Sequence, residues 1–481
     1  LTKARFEPGR IDMSGLCGVI SRNHCPETLL FGTDYHSHLG SQRGGMAIKG
    51  QRFEKKIRDI TQGSFKYRFL PDLDTMEGTM GIGVISDSDA QPLLIRSRFG
   101  LYALAMTGFI ENRDELTEAM LQNGTAFIES TDAGVNGIEL LARLIESGQD
   151  LVGGIASIYD RIEGAASMLL LTDDGILAVR DRLGRTPLVI GSRDQDFMVA
   201  SESIALMNLG FQPVKELGPG EIVRISHDGY HVLREPGPRM RMCSFLWVYT
   251  GYPAASYEGI GVEGARERCG AALARRDTVG ADLAAGVPDS GTGHGIGYAM
   301  EKRIPFRRAL VKYTPGYGRS YIPPSQSQRD HVARMKLIAV PEVVSGQRCV
   351  LCEDSIVRGT QLANHTAQKM WDAGAKEIHM RAACPPLMFP CKYGFSTRAL
   401  DELVARRAIR FLEGDQSKNL DRYVDENSPE HGRMLEWIRE HLHVTTLRYQ
   451  RIGDMIAAIG LPEDRLCTYC WTGKSSGYRD L

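Results

Sequence analysis

"VLCEDSIVRGTQ", residues 350–361, carries a short apolar run into a Glu-Asp pair and follows it with Ser, Arg, Gly and Thr. An apolar run of this length that stops on charges reads as a buried strand, and the small polar turn behind it as the start of a helix. From about residue 255 the same grammar repeats in "ADLAAGVPDSG", "TGHGIGYAMEKR", "RALVKY", "QRCVLCEDSIVRG" and "TQLANHTAQKMWDAGAKEIHMRAAC". Single buried strands alternating with helical patterns predict a parallel sheet with helices on both faces. In the helix after the opening stretch, Ala363, Ala367, Met370 and Trp371 share one face, which is expected to lie on the sheet.

Residues 17 to about 235 are built differently. Short apolar runs such as "CGVISR", "GIGVISD", "YALAMTG", "SMLLLTDDGILAVRD", "FMVASES" and "GEIVRIS" are separated by Gly, Asn and Asp, which is hairpin punctuation. Two helical patterns interrupt them, "RDELTEAMLQNG" and "GIELLARLIESG", the second with Ile138, Leu141 and Ile145 at helical spacing. Stacked antiparallel sheets with a few long helices are expected there. The Pro-rich "REPGPRMRMCSF", 234–245, reads as a connector, and the tail 411–481 as polar and helical.

With 481 residues the chain exceeds one ordinary core, and 42% apolar and 24% charged residues describe a globular protein. Its 58 basic and 59 acidic side chains leave a net charge of -1, so nothing in the overall charge favours nucleic acid or an anionic membrane as a partner. No apolar run is long enough to span a bilayer, and the N-terminus lacks a signal-length apolar core, so a cytoplasmic location is expected. In that reducing compartment the ten cysteines are not a disulfide framework.

In an open parallel sheet ligands sit beyond the carboxyl ends of the strands, and Glu353 and Asp354 fall at such an end. Ser355, Arg358, Gly359 and Thr360 then occupy a turn whose N–H groups, hydroxyls and helix dipole suit a phosphate. Vicinal acids beside a phosphate turn point to a sugar phosphate, with the carboxylates accepting from ribose hydroxyls and helping to retain a hydrated Mg²⁺. A strand-end acidic pair that only caps the next helix is the simpler alternative.

The full string "EDSIVRGT" resembles the signature of type I phosphoribosyltransferases, and specifically the version in glutamine phosphoribosylpyrophosphate amidotransferases, where two Asp commonly stand. Glu353 keeps the charge on a longer arm. "VPDSGTGHGIGYA", 287–299, is similar to the family's pyrophosphate loop, with Asp289 and Ser290 closing a strand and Gly291 freeing backbone amides. "KYTPGYGRSYIPPSQSQRDHVARMKL" resembles its catalytic flap, on which Lys312, Arg319, Gln326 and Lys336 fall in matching positions, the spacing near Lys312 departing from the commonest pattern. The resemblance implies Mg²⁺ held by Ser290, Glu353 and Asp354, and displacement of pyrophosphate from the anomeric carbon by a nitrogen nucleophile.

Cys243, Cys391, Cys467 and Cys470 stand in "RMCSF", "FPCKYG" and "CTYCWTG". Zinc and iron–sulfur clusters both accept four thiolates. The resemblance places these four on the ligand positions of the family's iron–sulfur branch and so implies a [4Fe–4S] cluster. Cys25, Cys269, Cys349, Cys352 and Cys384 are expected to pack as small apolar side chains.

"MSGLCGVISR" resembles the start of an N-terminal-nucleophile glutaminase in which a leader is removed and Cys17 becomes the first residue, its α-amine acting as base. "GSQRGGMA", with Arg43 and Gly44, is similar to the following turn. In "MTGFIEN", Gly108 remains as an oxyanion donor, but Thr107 replaces an Asn. Ser86 and Gly137 stand where the family has an Arg and an Asp for the two charged ends of glutamine. The resemblance therefore implies a leader 1–16, an Ntn-type αββα sandwich over 17–240, a phosphoribosyltransferase domain over 255–410 and a C-terminal helical segment 411–481 carrying cluster ligands. It implies formation of 5-phosphoribosylamine from phosphoribosyl diphosphate with ammonia or glutamine as nitrogen donor, the first step of purine synthesis. Purine nucleotides would act as feedback ligands, and the chain would form a homo-oligomer, a tetramer by family analogy. With Ser86, Thr107 and Gly137 in these places the glutaminase half is expected to be degenerate and the reaction ammonia-dependent; a fully glutamine-dependent amidotransferase, and a regulator that binds phosphoribosyl diphosphate or nucleotide without catalysis, are the competing readings.

Overall fold

The computed structural model describes residues 14–87, 89–131, 134–313, 337–360, 362–394, 396–397 and 399–474. They fall into two compact units. The first holds the described residues through Cys243 with the short segment from Lys392, and the second holds Ser244–Cys391 with the described residues from Ala399 on.

In the first unit a seven-stranded antiparallel sheet runs in the order Gln212–Glu216, Val189–Arg193, Asp196–Ala200, Ser14–Ile20, Met80–Ser86, Arg43–Lys49, Phe53–Asp59. A six-stranded antiparallel sheet runs in the order Gly229–Arg234, Ile222–Ser226, Gly175–Val179, Gly164–Thr172, Gly100–Ile110, Leu93–Ser97. Strand side chains alternate between faces. Leu16, Ile20, Ile82 and Val84 of the first sheet accordingly meet Ala103, Ala105, Leu169 and Leu171 of the second in one core. Cys17 and Val19 enter a separate layer with Leu29 and Leu30 of the helix Pro26–Asp34. On the far face of the second sheet, Tyr102, Leu104 and Leu170 pack against Ile138, Leu141 and Ile145 of the helix Gly137–Ile145, whose N-cap Asn136 accepts from the Ile138 N–H at 2.8 Å. Helix, sheet, sheet and helix thus stack as the expected αββα sandwich.

The expected cut between Leu16 and Cys17 falls inside a central strand. Ser14–Leu16 pair with Val84–Ser86 in continuous register, the Leu16 N–H donates to Ser201 Oγ at 3.2 Å, and the Ser201 N–H donates to Leu16 O at 3.0 Å.

The second unit contains a four-stranded parallel sheet in the order Leu283–Gly286, Arg348–Glu353, Glu377–Ala382, Thr446–Tyr449. Along the strand of the opening stretch, Val350 and Cys352 face the helices Val262–Arg275 and Gly291–Lys302, while Cys349 and Leu351 face a core shared with Ala363, Ala367, Met370, Ala408 and Ile438. Both faces are covered, which is why the strand reads as a continuous apolar run. The segment after it is not one regular helix: a wide π-type turn over Leu362–Ala367 precedes an α-helix Gln368–Asp372, and Trp371 stays partly exposed with Nε1 donating to His443 O at 2.8 Å. Among the described residues the tail departs from the helical expectation in two places: Thr446–Tyr449 supplies the fourth strand, and Leu466–Cys467 is a second, two-residue strand. A buried pair, Asp277 and Arg381, braces the sheet, with Tyr298 Oη donating to Asp277 at 2.7 Å.

Candidate functional site

Neighbouring strands of the parallel sheet bring the two acidic segments together. The Val287 N–H donates to Cys352 O at 2.9 Å, so the turn holding Asp289 and Ser290 continues alongside the end of the Arg348–Glu353 strand. Gly291 is required there, because a Cβ would stand 2.4 Å from Cys352 O. Its amide does not point outward as expected; it donates to Val287 O at 3.0 Å. Ser290 begins the helix Gly291–Lys302 without capping it, and its hydroxyl donates instead to Asp354. Ser355 Oγ donates to the other Asp354 oxygen at 2.5 Å, and Lys312 Nζ pairs with Asp289 at 2.5 Å.

Burial pushes the Glu353 carboxyl well above the carboxylate range, the neighbouring Asp354 charge adds to the effect, and Glu353 Oε2 is buried without a hydrogen-bond partner. Asp354 is also raised by burial, with the Ser290 and Ser355 hydroxyls pulling the other way. A buried carboxylate oxygen without a partner is costly and calls for a cation or a donor. Two carboxylates and two hydroxyls are hard oxygen donors, a set that suits Mg²⁺.

Behind the acids the chain turns through Arg358, Gly359 and Thr360. Gly359 sits at φ +73°, where glycine is favoured, and Arg358 pairs with Glu402. No backbone hydrogen bond among the described residues uses the N–H groups of Ser355, Ile356, Val357, Arg358 or Gly359. A run of uncommitted amides is the feature that receives phosphate. Arg319, Gln326 and Lys336 lie outside the described residues.

The glutaminase-like residues of the first unit are dispersed by strand parity. Cys17 is 0% exposed; burial pushes its thiol far up, Thr33 pulls it partly back, and its strand partners are Gly83 and Ala200. A thiol held protonated in this way is a poor nucleophile. Arg43 and Ser86 pair across adjacent strands, and Gly108, at φ +124°, lies opposite Ala166, whose neighbour Ala165 leaves no room for a Cβ. Sequence reasoning missed Asp89: Gly137, which lacks the expected acid, donates its N–H to Asp89 Oδ2 at 3.3 Å, and a Cβ on Gly137 would stand 3.0 Å from that oxygen. Arg113 Nη1 lies 3.7 Å from the same carboxylate. An acid supplied by a neighbouring loop leaves no trace in the local string around position 137.

All ten cysteines are buried and none forms a disulfide. In the second unit the Met388 and Phe389 N–H groups donate to Cys470 O at 2.9 and 3.0 Å, Ser244 Oγ donates to Cys467 O at 2.9 Å, and Phe245 stacks on Trp471 at 4.8 Å. This fixes the segment leading to Cys391 beside the C-x-x-C pair. Cys243 ends the first unit with its N–H donating to Arg185 O at 3.3 Å. The four thiols suit an iron–sulfur cluster or zinc as donors, but among the described residues no group of three or more His, Cys, Asp or Glu side chains is gathered as a metal site. No helix among them is long and apolar enough to cross a membrane.

Comparison with known proteins places these features in a lineage. A family model described as a glutamine amidotransferase domain matches residues 79–208. The amidophosphoribosyltransferase of Methanocaldococcus jannaschii is 32% identical over 96% of this chain and 97% of its own length, and that of Bacillus subtilis is 31% identical over 96% and 93%. Among solved structures, the glutamine phosphoribosylpyrophosphate amidotransferase from B. subtilis complexed with ADP and GMP superposes with a TM-score of 0.82 at 29% identity, covering 96% of this chain and 97% of that one. Matched at 32% and 31% identity over nearly its whole length, and carrying the αββα sandwich and parallel sheet, the chain belongs to the amidophosphoribosyltransferase family.

Proposed function

We propose that this chain forms 5-phosphoribosylamine from phosphoribosyl diphosphate and a nitrogen donor, the first step of purine synthesis. The observation that carries this reading is the convergence of Ser290, Glu353 and Asp354 at two adjacent strand ends, in front of a turn whose amides are uncommitted. Asp354 and Glu353 take the ribose hydroxyls and, with Ser290, the oxygen side of a Mg²⁺ site. Ser355, Arg358, Gly359 and Thr360 hold the 5-phosphate. Asp289, Ser290 and Gly291 form the loop that faces the diphosphate, and Lys312, Arg319, Gln326 and Lys336 act on the leaving group. Mg²⁺, when bound, supplies charge neutralisation to the diphosphate. The nitrogen then displaces pyrophosphate through an oxocarbenium-like state.

Ammonia is the donor favoured by the loss of side chains at Ser86, Thr107 and Gly137, and glutamine is the alternative. A site that has lost a charge-assisted contact gives up about 1.5–3 kcal/mol for it. The four cysteines Cys243, Cys391, Cys467 and Cys470 support a structural [4Fe–4S] cluster, tested by iron and acid-labile sulfide in anaerobically purified protein. The ADP and GMP in the B. subtilis relative support purine nucleotides as feedback ligands, and a cytoplasmic homo-oligomer of four chains completes the reading. The division into 17–240, 255–410 and 411–481 is kept as a functional division.

The test is loss of phosphoribosyl diphosphate with ammonia, with glutamine and with neither. Turnover with ammonia exceeding that with glutamine is expected. Preference for glutamine would show that recognition has been rebuilt, and equal inactivity in all three would favour a binding regulator.

A further inference from the structure

The strand Ser14–Ile20 offers two hydroxyl or thiol nucleophiles three positions apart, and its period of two sends them to opposite faces. Cys17 shares its face with Val19, beneath the helix Pro26–Asp34, where a Cβ on Gly32 would stand 2.6 Å from its Sγ. Ser14 shares its face with Leu16 and Ile20, which point between the two sheets. Arg43 and Ser86 keep the same parity as Ala47, Ile82 and Val84 of that inner core, and Thr107 the parity of Ala103 and Ala105.

These residues meet at Ser14. Its Oγ lies 3.3 Å from Ser86 Oγ, its carbonyl oxygen accepts from Thr107 Oγ1 at 2.7 Å, and Ser14, Ser86 and Arg43 form one row across three adjacent strands. The positions that the family resemblance assigns to recognition and to the oxyanion therefore surround residue 14 and not residue 17. Three residues beyond Ser86, Asp89 fills the space that the missing Gly137 side chain leaves, with Arg113 beside it.

We infer that the mature chain begins at Ser14, that Ser14 Oγ with its own α-amine is the nucleophile of a carboxamide-hydrolysing site, and that Cys17 is a core residue. The substrate class is an amino-acid carboxamide whose ammonium is received by Asp89. In the reaction the Oγ–C bond forms as the hydroxyl proton passes to the α-amine. The C–N bond then breaks, nitrogen leaving as ammonia with that proton, and water hydrolyses the ester to return the carboxylic acid and the Ser14 hydroxyl. The inference rests on the likeness of the first unit to a glutamine amidotransferase domain, with glutamine the alternative donor, and it is decided without phosphoribosyl transfer.

The full chain is expressed, its N-terminus is read by intact mass and N-terminal peptide mapping, and it is treated with a β-lactone probe that acylates activated hydroxyls and thiols. A chain beginning at Ser14 with one adduct on Ser14 is expected. Ser14→Ala loses the adduct and at least about 100-fold of carboxamide hydrolysis, Ser14→Cys restores labelling at residue 14, and Cys17→Ser keeps the Ser14 adduct. A chain beginning at Cys17, an adduct on Cys17, or a wild-type protein without an adduct at residue 14 overturns the inference, and these outcomes are read on wild type even if a variant fails to fold. Ammonia-dependent turnover of phosphoribosyl diphosphate, measured on the same samples, is expected to survive Ser14→Ala; its absence from every sample would sink the proposed function while leaving the Ser14 result standing.

Discussion

The strand Arg348–Glu353 ends on one carboxylate and is followed at once by a second, Asp354, both announced by the string itself, whereas the strand Ser14–Ile20 begins with a serine that its string conceals behind a more conspicuous cysteine. At the first site the acids, the Ser355 hydroxyl and the turn behind them are consecutive, from Glu353 to Thr360, and one neighbouring loop, Asp289 to Gly291, joins them with Lys312 on Asp289. At the second, Ser14, Arg43, Ser86 and Thr107 arrive from four different strands, and only the sheet register assembles them. A site written in one segment can diverge little without losing its chemistry. One spread over four strands can be exchanged piece by piece, as Gly137 and Asp89 illustrate.

The largest test of this contrast removes both acids. Glu353→Gln with Asp354→Asn is expected to lower ammonia-dependent turnover about 10³-fold, while thermal unfolding stays level or rises, because neutral amides are easier to bury than carboxylates. Retention of a tenth of the rate would show that the strand end is not the reaction site. Next comes the scaffold behind it: Arg381→Met leaves Asp277 buried without its cation and is expected to cost about 3–5 kcal/mol in urea unfolding. Although burial alone raises Asp277, the Arg381 hydrogen bond and charge bring it down to about 2. Its folded pKa is thus depressed, so its contribution to wild-type stability is present above the ordinary carboxylate range and is lost as pH falls toward 2. That acid-side loss is expected to be much weaker in Arg381→Met.

At the other strand, Gly32→Ala presses a methyl against Cys17 Sγ and is expected to cost about 1–3 kcal/mol. Combining it with Cys17→Ala recovers part of the loss, a coupling of about 0.5–3 kcal/mol in a double-mutant cycle. Additive losses would mean that the two side chains do not touch. The smallest effect concerns pH and Mg²⁺. Burial raises both Glu353 and Asp354, so the folded state holds protons that the unfolded chain has released, and metal-free stability falls as pH climbs above the usual carboxylate pKa of about 4. Mg²⁺ competes with those protons. The rise in Tm on adding Mg²⁺ is expected to be greater at pH 8 than at pH 6, and the difference to vanish in Glu353→Gln with Asp354→Asn.

Much of the fold was legible because each layer writes its own period. Two-sided burial made the Val350–Cys352 run continuously apolar, and alternation in "GIGVISD" and "YALAMTG" marked sheets with two distinct faces. The strand Thr446–Tyr449 escaped notice because it is short and carries partly exposed residues, its paired threonines being the one local cue. Alternate positions counted back from Ile20 separate Ser14 from Cys17 by parity alone, a cue that the string itself contains. Asp89 had no such signal, since its relation to Gly137 exists only across a turn. Gly291 was legible as a glycine requirement, but the cause is the approach of Cys352 O and not an amide offered to ligand.

The central place of the Ser14–Ile20 strand restricts when the chain can be trimmed. A peptidase must draw several extended residues into its own cleft, and those of this strand are already hydrogen-bonded on both sides, to the strands Met80–Ser86 and Asp196–Ala200. Any cut inside it has to happen while the polypeptide is still emerging, before its neighbours close. Once the sheet is complete, the bonds within Ser14–Ile20 are closed to such a peptidase, so the timing of sheet closure sets whether a cut inside this strand can occur at all.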